Sequence, residues 1–235
     1  MLHTRIFTFN PLEAHCIVVW ADGSPACTVT DPGMSSPEGC RELTDFLSAH
    51  GLVPEAVLLT HGHFDHVWGV ERLREVFPEL PVYLHPADKD IMDAFARGVP
   101  GMQGLSFLRH DFPSLALADG QRLSLGGAEW TVLHTPGHTP GSVCFHCADD
   151  NLLLSGDTLF AGCIGRTDLP GGDYDALMRS IREKLLVLPG DTDVIPGHGR
   201  PTSIAQEAAA NPFLQPFNEA ETDWWNQDGI PIQAP

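Results

Sequence analysis

Short apolar runs alternate with amphipathic stretches along the whole chain, and most runs stop at a Gly or Pro turn. Residues 5–9, 16–20 and 27–30 have the length and β-branched content of strands, closed by Asn10-Pro11, by the turn 21–25 and by Asp31-Pro32-Gly33. From 37 to 50 the spacing becomes helical, with Leu43, Phe46 and Leu47 on one side and Gly51 as the stop. A strand over 55–60, a helix over 67–77 that puts Val70, Leu73, Val76 and Phe77 on one face, a strand over 81–85 and a helix over 88–97 are predicted next. Residues 98–113 are loop-like and rich in Gly and Pro, which makes them a candidate substrate lid. Further strands are predicted at 122–125, 130–134, 142–146, 152–154 and 193–195, and helices over 174–186 and 203–210. Strands and helices alternate with hairpin-like pieces between them, and no linker separates two cores. The pattern is that of an α/β protein with mixed sheets.

Composition narrows the function. With 43% hydrophobic residues among 235, the chain can bury a sizeable core. A formal charge of -18 and the lack of any Lys or Arg run argue against a nucleic-acid partner, which needs a basic stripe. The first residues lead into no long apolar segment with a small-residue cleavage site, and no stretch approaches the roughly 20 apolar residues of a membrane span. A cytoplasmic protein that binds no membrane is therefore expected. The six cysteines are scattered. Cys144 and Cys147, three apart on one predicted strand, point to opposite faces and suit neither a chelate nor a disulfide. All six are expected as reduced thiols.

Chemistry concentrates at His61-Gly62-His63-Phe64-Asp65-His66, where three imidazoles and a carboxylate follow an apolar run. One metal ion cannot easily use them all, whereas two side by side can. Three more strands end the same way. Residues 130–134 run into Thr135-Pro136-Gly137-His138, residues 152–155 into Gly156-Asp157, and residues 193–195 into Pro196-Gly197-His198. Gly and Pro set abrupt turns there and let backbone approach a site closely. If these strand ends share one edge, His61, His63, Asp65, His66, His138, Asp157 and His198 converge. Seven donors exceed the four of a closed structural zinc site and suit two metals sharing a carboxylate and a water.

These stretches resemble the metallo-β-lactamase-fold hydrolases, and within them the glyoxalase II-like (hydroxyacylglutathione hydrolase-like) branch. The resemblance rests on Thr60-His61-Gly62-His63-Phe64-Asp65-His66, on residues 134–142, on Ser155-Gly156-Asp157-Thr158-Leu159-Phe160, on Gly165-Arg166-Thr167-Asp168 and on Pro196-Gly197-His198-Gly199. It runs to Asn211-Pro212-Phe213-Leu214, so residues 1–214 read as a single-domain hydrolase and 215–235 as a C-terminal tail. The resemblance implies an αββα sandwich of two mixed sheets with the metals at one edge. Position by position, His61, His63 and His138 would hold one divalent ion, and Asp65, His66 and His198 a second. Asp157 would bridge them, and Asp31 would steady the histidine loop through hydrogen bonds. Zinc is the expected metal, with iron or manganese acceptable to the same donors.

The implied reaction is hydrolysis of a small-molecule thioester by a metal-bridging hydroxide, with Asp65 orienting the nucleophile or moving its proton. Too little chain follows His198 for the helical domain that supplies much of the glutathione site in full-length glyoxalase II. His15, Cys163 and Arg166 are the candidates to touch substrate. Each also has a plainer reading: a surface-loop histidine, a small packed side chain, and a partner for Asp168. His85, His110, His134 and His146 are assigned structural or surface roles. Trp224-Trp225 could cover a partner chain's apolar patch, so a homo-oligomer is one expectation. The alternatives are a mononuclear-iron persulfide dioxygenase, a lactonase and, last, a non-catalytic metal-binding module. The intact Pro196-Gly197-His198-Gly199 favours two metals over the dioxygenase. A β-lactamase is disfavoured by Asp157 at a bridging position and by the lack of an export signal.

Overall fold

The structure, a computed structural model, describes residues 1–96 and 112–215, with only the backbone of 93–96. Two six-stranded sheets form its centre. The first holds β1 (Leu2–Thr8), β2 (His15–Ala21), β3 (Ala26–Thr30), β4 (Val53–Leu58), β5 (Val82–Leu84) and β6 (Ser114–Ala116) in chain order. Its first three strands are antiparallel, and from β3 onward the pairs are parallel. The second holds β7 (Arg122–Leu125), β8 (Ala128–His134), β9 (Val143–Cys147), β10 (Leu152–Gly156), β13 (Asp193–Pro196) and β14 (Thr202–Ser203). A small hairpin, β11 (Leu159–Phe160) with β12 (Cys163–Ile164), follows β10.

Alternation along the strands sorts the side chains into three cores. Ile17, Val19, Ala56 and Leu58 meet Trp130, Val132, Phe145 and Leu154 between the sheets. On the outer face of the first sheet, Val18, Val29 and Val57 pack against Leu43 and Leu47 of α1 (Pro37–Ala49) and Val70 and Leu73 of α3 (Val70–Val76). On the outer face of the second, Cys144, Leu153 and Val194 pack against Leu177 of α5 (Tyr174–Ser180) and Ile204 of α6 (Ile204–Ala210). Each helix thus covers a sheet face that would otherwise lie bare, which makes an αββα sandwich. Cys144 lies in the outer core and Cys147 in the inner one, as strand alternation requires. All six cysteines are free. No described helix is long and apolar enough to cross a membrane.

Several predicted elements differ in extent. β4 stops at Leu58, two residues short of the expected strand, because Thr60 turns to bond Asp31. The helix expected over 67–77 is two: α2 (Phe64–Val67), which carries Asp65 and His66, and α3. The break falls at Trp68-Gly69, where a Cβ on residue 69 would lie 2.5 Å from the Pro32 carbonyl oxygen. The helix expected over 174–186 is α-helical only to Ser180, and Ile181–Leu185 widens to an i→i+5 repeat closed by Leu186 N to Ile181 O at 2.9 Å. α4 (Lys89–Ala96) follows a 3₁₀ turn at Pro86–Asp88. Most of the candidate lid, His110 and the Trp224-Trp225 pair lie outside the described residues.

Candidate metal centre

Strand direction explains how distant donors meet. β8 and β10 are both antiparallel to β9 and therefore point the same way, and β10 is parallel to β13. The turns carrying His138, Asp157 and His198 leave the same edge of the second sheet. β3 and β4 are parallel, so Asp31 and His61 leave one edge of the first. The two edges are tied together by Val143 N to the Thr60 carbonyl at 2.8 Å and His15 N to the Gly197 carbonyl at 2.7 Å.

There the structure brings all seven predicted donors together. The nitrogens of His61, His63 and His138 form one group with donor atoms within 4.8 Å of one another, and Asp65, His66 and His198 form another. Asp157 lies between them. Its Oδ1 is 3.5 Å from His66 Nε2, and its Oδ2 is 3.5 Å from His138 Nε2 and 3.6 Å from His198 Nε2. Asp65 Oδ2 is 3.4 Å from His198 Nε2 and 3.6 Å from His66 Nε2.

Four of the imidazoles are oriented by what holds Nδ1. His66 Nδ1 donates to Asp31 Oδ2 at 2.9 Å, His138 Nδ1 to the Arg166 carbonyl at 2.7 Å, and His198 Nδ1 to the Leu12 carbonyl at 3.0 Å. Thr60 gives its one hydroxyl proton to Asp31, so His61 Nδ1 donates to Thr60 Oγ1 at 3.0 Å. Every one of these bonds leaves Nε2 facing the centre, the arrangement that fixes the tautomer of a metal-binding histidine. His63 presents Nδ1 instead, 2.8 Å from His138 Nε2.

The donors fit a metal. His61 Nε2 is buried with no hydrogen-bond partner among the described residues, an expensive position for a bare nitrogen. Ring nitrogens of His63 and His138 meet at 2.8 Å and those of His66 and His198 at 3.2 Å, so that one cation could be shared by each pair. Burial pushes His61 well down, and burial with neighbouring His138 takes His63 down to about 3, so both are neutral ligands at pH 7. His66 is opposite. Burial pulls it down, but Asp157, Asp65 and Asp31 outweigh that and hold it up to about 10. Burial alone would raise Asp65, yet His66 and His198 keep its carboxyl low. Glycine is required at 197, where a Cβ would run into Asp157 Oδ1 and lie 2.8 Å from His66 Cε1.

Asp31 stands where expected, buried, with a left-handed backbone (φ 50) and both oxygens bonded to Thr60 and His66. The substrate candidates turn out differently. His15 is not a surface residue: it is buried at the start of β2, with Nδ1 bonded to the Pro196 carbonyl at 2.8 Å, because the two sheet edges close over it. Cys163 is exposed rather than packed, and lines a cavity above the donors. Arg166 borders the same cavity with its guanidinium forked onto Asp168 at 2.8 and 2.7 Å. His85 and His134 stack on each other at 4.1 Å, away from the centre.

Two residues escaped sequence reading. Asp88, completely buried, accepts from Gly62 N, Thr139 Oγ1 and Gly141 N at 2.7, 2.7 and 2.5 Å, which joins the His61–His63 loop to the one after His138. Asn10 gives Nδ2 to the Gly33 and Asp65 carbonyls, both at 2.9 Å. An Asp at a helix start reads as a cap, and an Asn before Pro reads as a turn, so neither carried a distinguishing signal.

Comparison with known proteins agrees with this fold. Residues 10–198 match the model of the metallo-beta-lactamase superfamily. The probable metallo-hydrolase YqgX of Bacillus subtilis is 40% identical over 215 residues, 91% of this chain and 98% of that one. Hydroxyacylglutathione hydrolase GloC of Haemophilus influenzae is 34% identical over 218 residues, again 91% and 98%. Among solved structures, the B3 metallo-beta-lactamase BLEG-1 superposes with a TM-score of 0.80 at 36% identity, over 90% of this chain and 99% of that one. TTHA1623 in a di-iron-bound form superposes with a TM-score of 0.77 at 41% identity, over 89% and 100%.

Proposed function

The chain belongs to the metallo-beta-lactamase superfamily, and from that premise we propose that it is a binuclear metal-dependent hydrolase of small thioesters of the S-acylglutathione type. The observation that carries the reading is Asp157, whose two carboxylate oxygens reach toward both donor groups at 3.5–3.6 Å. A carboxylate set against both groups suits two ions that share it. The relation to GloC, at 34% identity over nearly the full length of both chains, supports the thioester.

His61, His63 and His138 would hold one ion, Asp65, His66 and His198 the other, and Asp157 would be shared between them. Bound there, two divalent ions supply a Lewis acid for a carbonyl oxygen and a water acidic enough to be hydroxide near neutral pH. Asp65, at the cavity floor, would orient that water. Asp31 and Thr60 keep His66 and His61 turned inward. A thiolate departs without prior protonation, since an ordinary thiol pKa of about 8.5 makes it a fair leaving group. The chain therefore needs no strong general acid. Zinc is our assignment for the metal, and the di-iron form of TTHA1623 makes iron its direct competitor.

The test is hydrolysis of S-lactoylglutathione by metal-replete protein, with Asp157→Ala as control and metal content measured on both. Turnover that disappears in the variant supports the reading. Three results would overturn it: one ion per chain in active protein, faster turnover of a β-lactam than of any thioester, or oxygen uptake with glutathione persulfide.

A further inference from the structure

A cavity of about 660 Å³ opens directly above the donor atoms. Its floor is the metal centre, and its walls are Leu12, Phe64, Phe160, Ile164 and Leu169. Arg166 is the one Lys or Arg among the described residues that line it, and it spends two of its five N–H donors on Asp168 at the cavity border. Against the five apolar side chains of the wall a carboxylate or hydroxyl on the acyl group finds no hydrogen-bond partner, whereas a methylene leaves water for hydrocarbon.

One side of the wall is built with more care than a surface hairpin needs. Phe160 and Ile164 belong to the β11–β12 hairpin, and the Phe160 ring reaches to 6.2 Å from that of His198. Glu207 of α6 is buried, has no place in the proposed chemistry, and accepts from Gly162 N at the hairpin tip at 2.7 Å. Asn211, also buried, donates Nδ2 to the Cys163 carbonyl at 3.0 Å and to Glu207 Oε2 at 2.8 Å. Thr202 Oγ1 fills the other carboxylate oxygen. The hairpin is fastened to α6 and its C-cap Asn211 from both its tip and its return strand.

We propose that this cavity is an acyl pocket selecting an apolar, uncharged acyl group, and that Glu207 and Asn211 are positioning residues that hold its Phe160–Ile164 wall in place. The inference rests on the thioesterase reading for its substrate and deepens it. Selection lies in the acyl chain, so extending that chain matters more than changing the thiol.

The experiment uses glutathione thioesters of propionate, lactate, butyrate and hexanoate, so that the leaving thiol is constant. From propionyl to hexanoyl, kcat/KM is expected to rise about fourfold per methylene, carried mainly by KM, and the lactoyl ester is expected to have a higher KM than the propionyl ester. Calorimetric binding of the free carboxylates to metal-loaded protein reads the pocket without turnover, with hexanoate above propionate by the same factor. A flat series in both measurements overturns the acyl pocket even where thioesters are hydrolysed. A preserved hexanoate advantage with no thioester turnover retains the pocket and rejects the thioesterase reading instead. Phe160→Ala should flatten the chain-length series with metal content unchanged, and an unchanged slope would refute the wall. Glu207→Ala should raise KM for hexanoyl while leaving kcat for propionyl and metal content alone. Glu207→Gln should restore it, because the amide oxygen can accept from Gly162 and Asn211 while its NH₂ donates to Thr202. Equal loss in both variants, or loss of kcat for every substrate, would rule out the positioning role.

Discussion

Replacing Asp88 with alanine removes one carboxylate that three donors share. Thr139 Oγ1 can turn to Ser142 Oγ, already 2.7 Å away, but the amides of Gly62 and Gly141 have no other hydrogen-bond acceptor among the described residues. A buried donor left without a partner costs about 1–3 kcal/mol, so two give about 2–6 kcal/mol. Part of that is offset. Burial pushes the Asp88 carboxyl up against the pull of its hydrogen bonds, so its ionisation at neutral pH is itself a burden on the folded state. A net loss of about 2–4 kcal/mol remains, which corresponds to a fall in Tm of about 5–15 °C for a domain of this size. Melting should be followed in chelator, because bound metal would add its own stabilisation. Asp88→Asn keeps an oxygen for Gly62 and turns its NH₂ toward Gly141, so about half the loss is expected. The damage should also be local. In Co²⁺-substituted protein the site of His61, His63 and His138 should weaken, while that of Asp65, His66 and His198, which shares none of these hydrogen bonds, should keep its affinity. A Tm within about 2 °C of the parent, or equal loss at both sites, would refute the argument.

Three further outcomes follow from the same geometry. In metal-free protein His66 sits near pKa 10, above the free value, so its charge stabilises the fold fully below about 6.5 and that contribution fades as pH rises through about 10. Metal must displace that proton, so titration at pH 7 should release about one proton from His66 and affinity should climb about tenfold per pH unit toward 9; no pH dependence would contradict it. Gly197→Ala drives a Cβ into Asp157 and His66, and should cost most of the bound metal and about 1–3 kcal/mol of stability, read by metal analysis and melting. Asp31→Asn should lower metal affinity about 10–100-fold through His66, and unchanged affinity in a competition assay with a chelator would show that Asp31 serves the backbone turn alone.

The amino-acid sequence by itself determined the α/β pattern with mixed sheets and the candidate donors, because both are written in local terms, while the αββα layer order came from the family resemblance. Period-two and helical apolar spacing decide which residues can be strands and helices, and Gly and Pro decide where each run ends. His61, His63, His138, Asp157 and His198 were legible because each stands directly after a strand, and α/β architecture sends the carboxyl ends of co-directional strands to one edge. What only tertiary structure decided depends on side-chain direction across elements far apart in sequence. Asp88 is an ordinary helix-start aspartate until α4 is laid between two histidine loops. His15 looked exposed until Pro196 closed over it, and Cys163 looked packed until the hairpin turned it into the cavity. Glu207 was one charged residue on a short helix, and became a fastening only when Gly162 met it across 45 residues. Sequence periodicity reports which face of one element is apolar. It carries no information on which polar atom of another element fills the space opposite, and there the functions of these four residues are set.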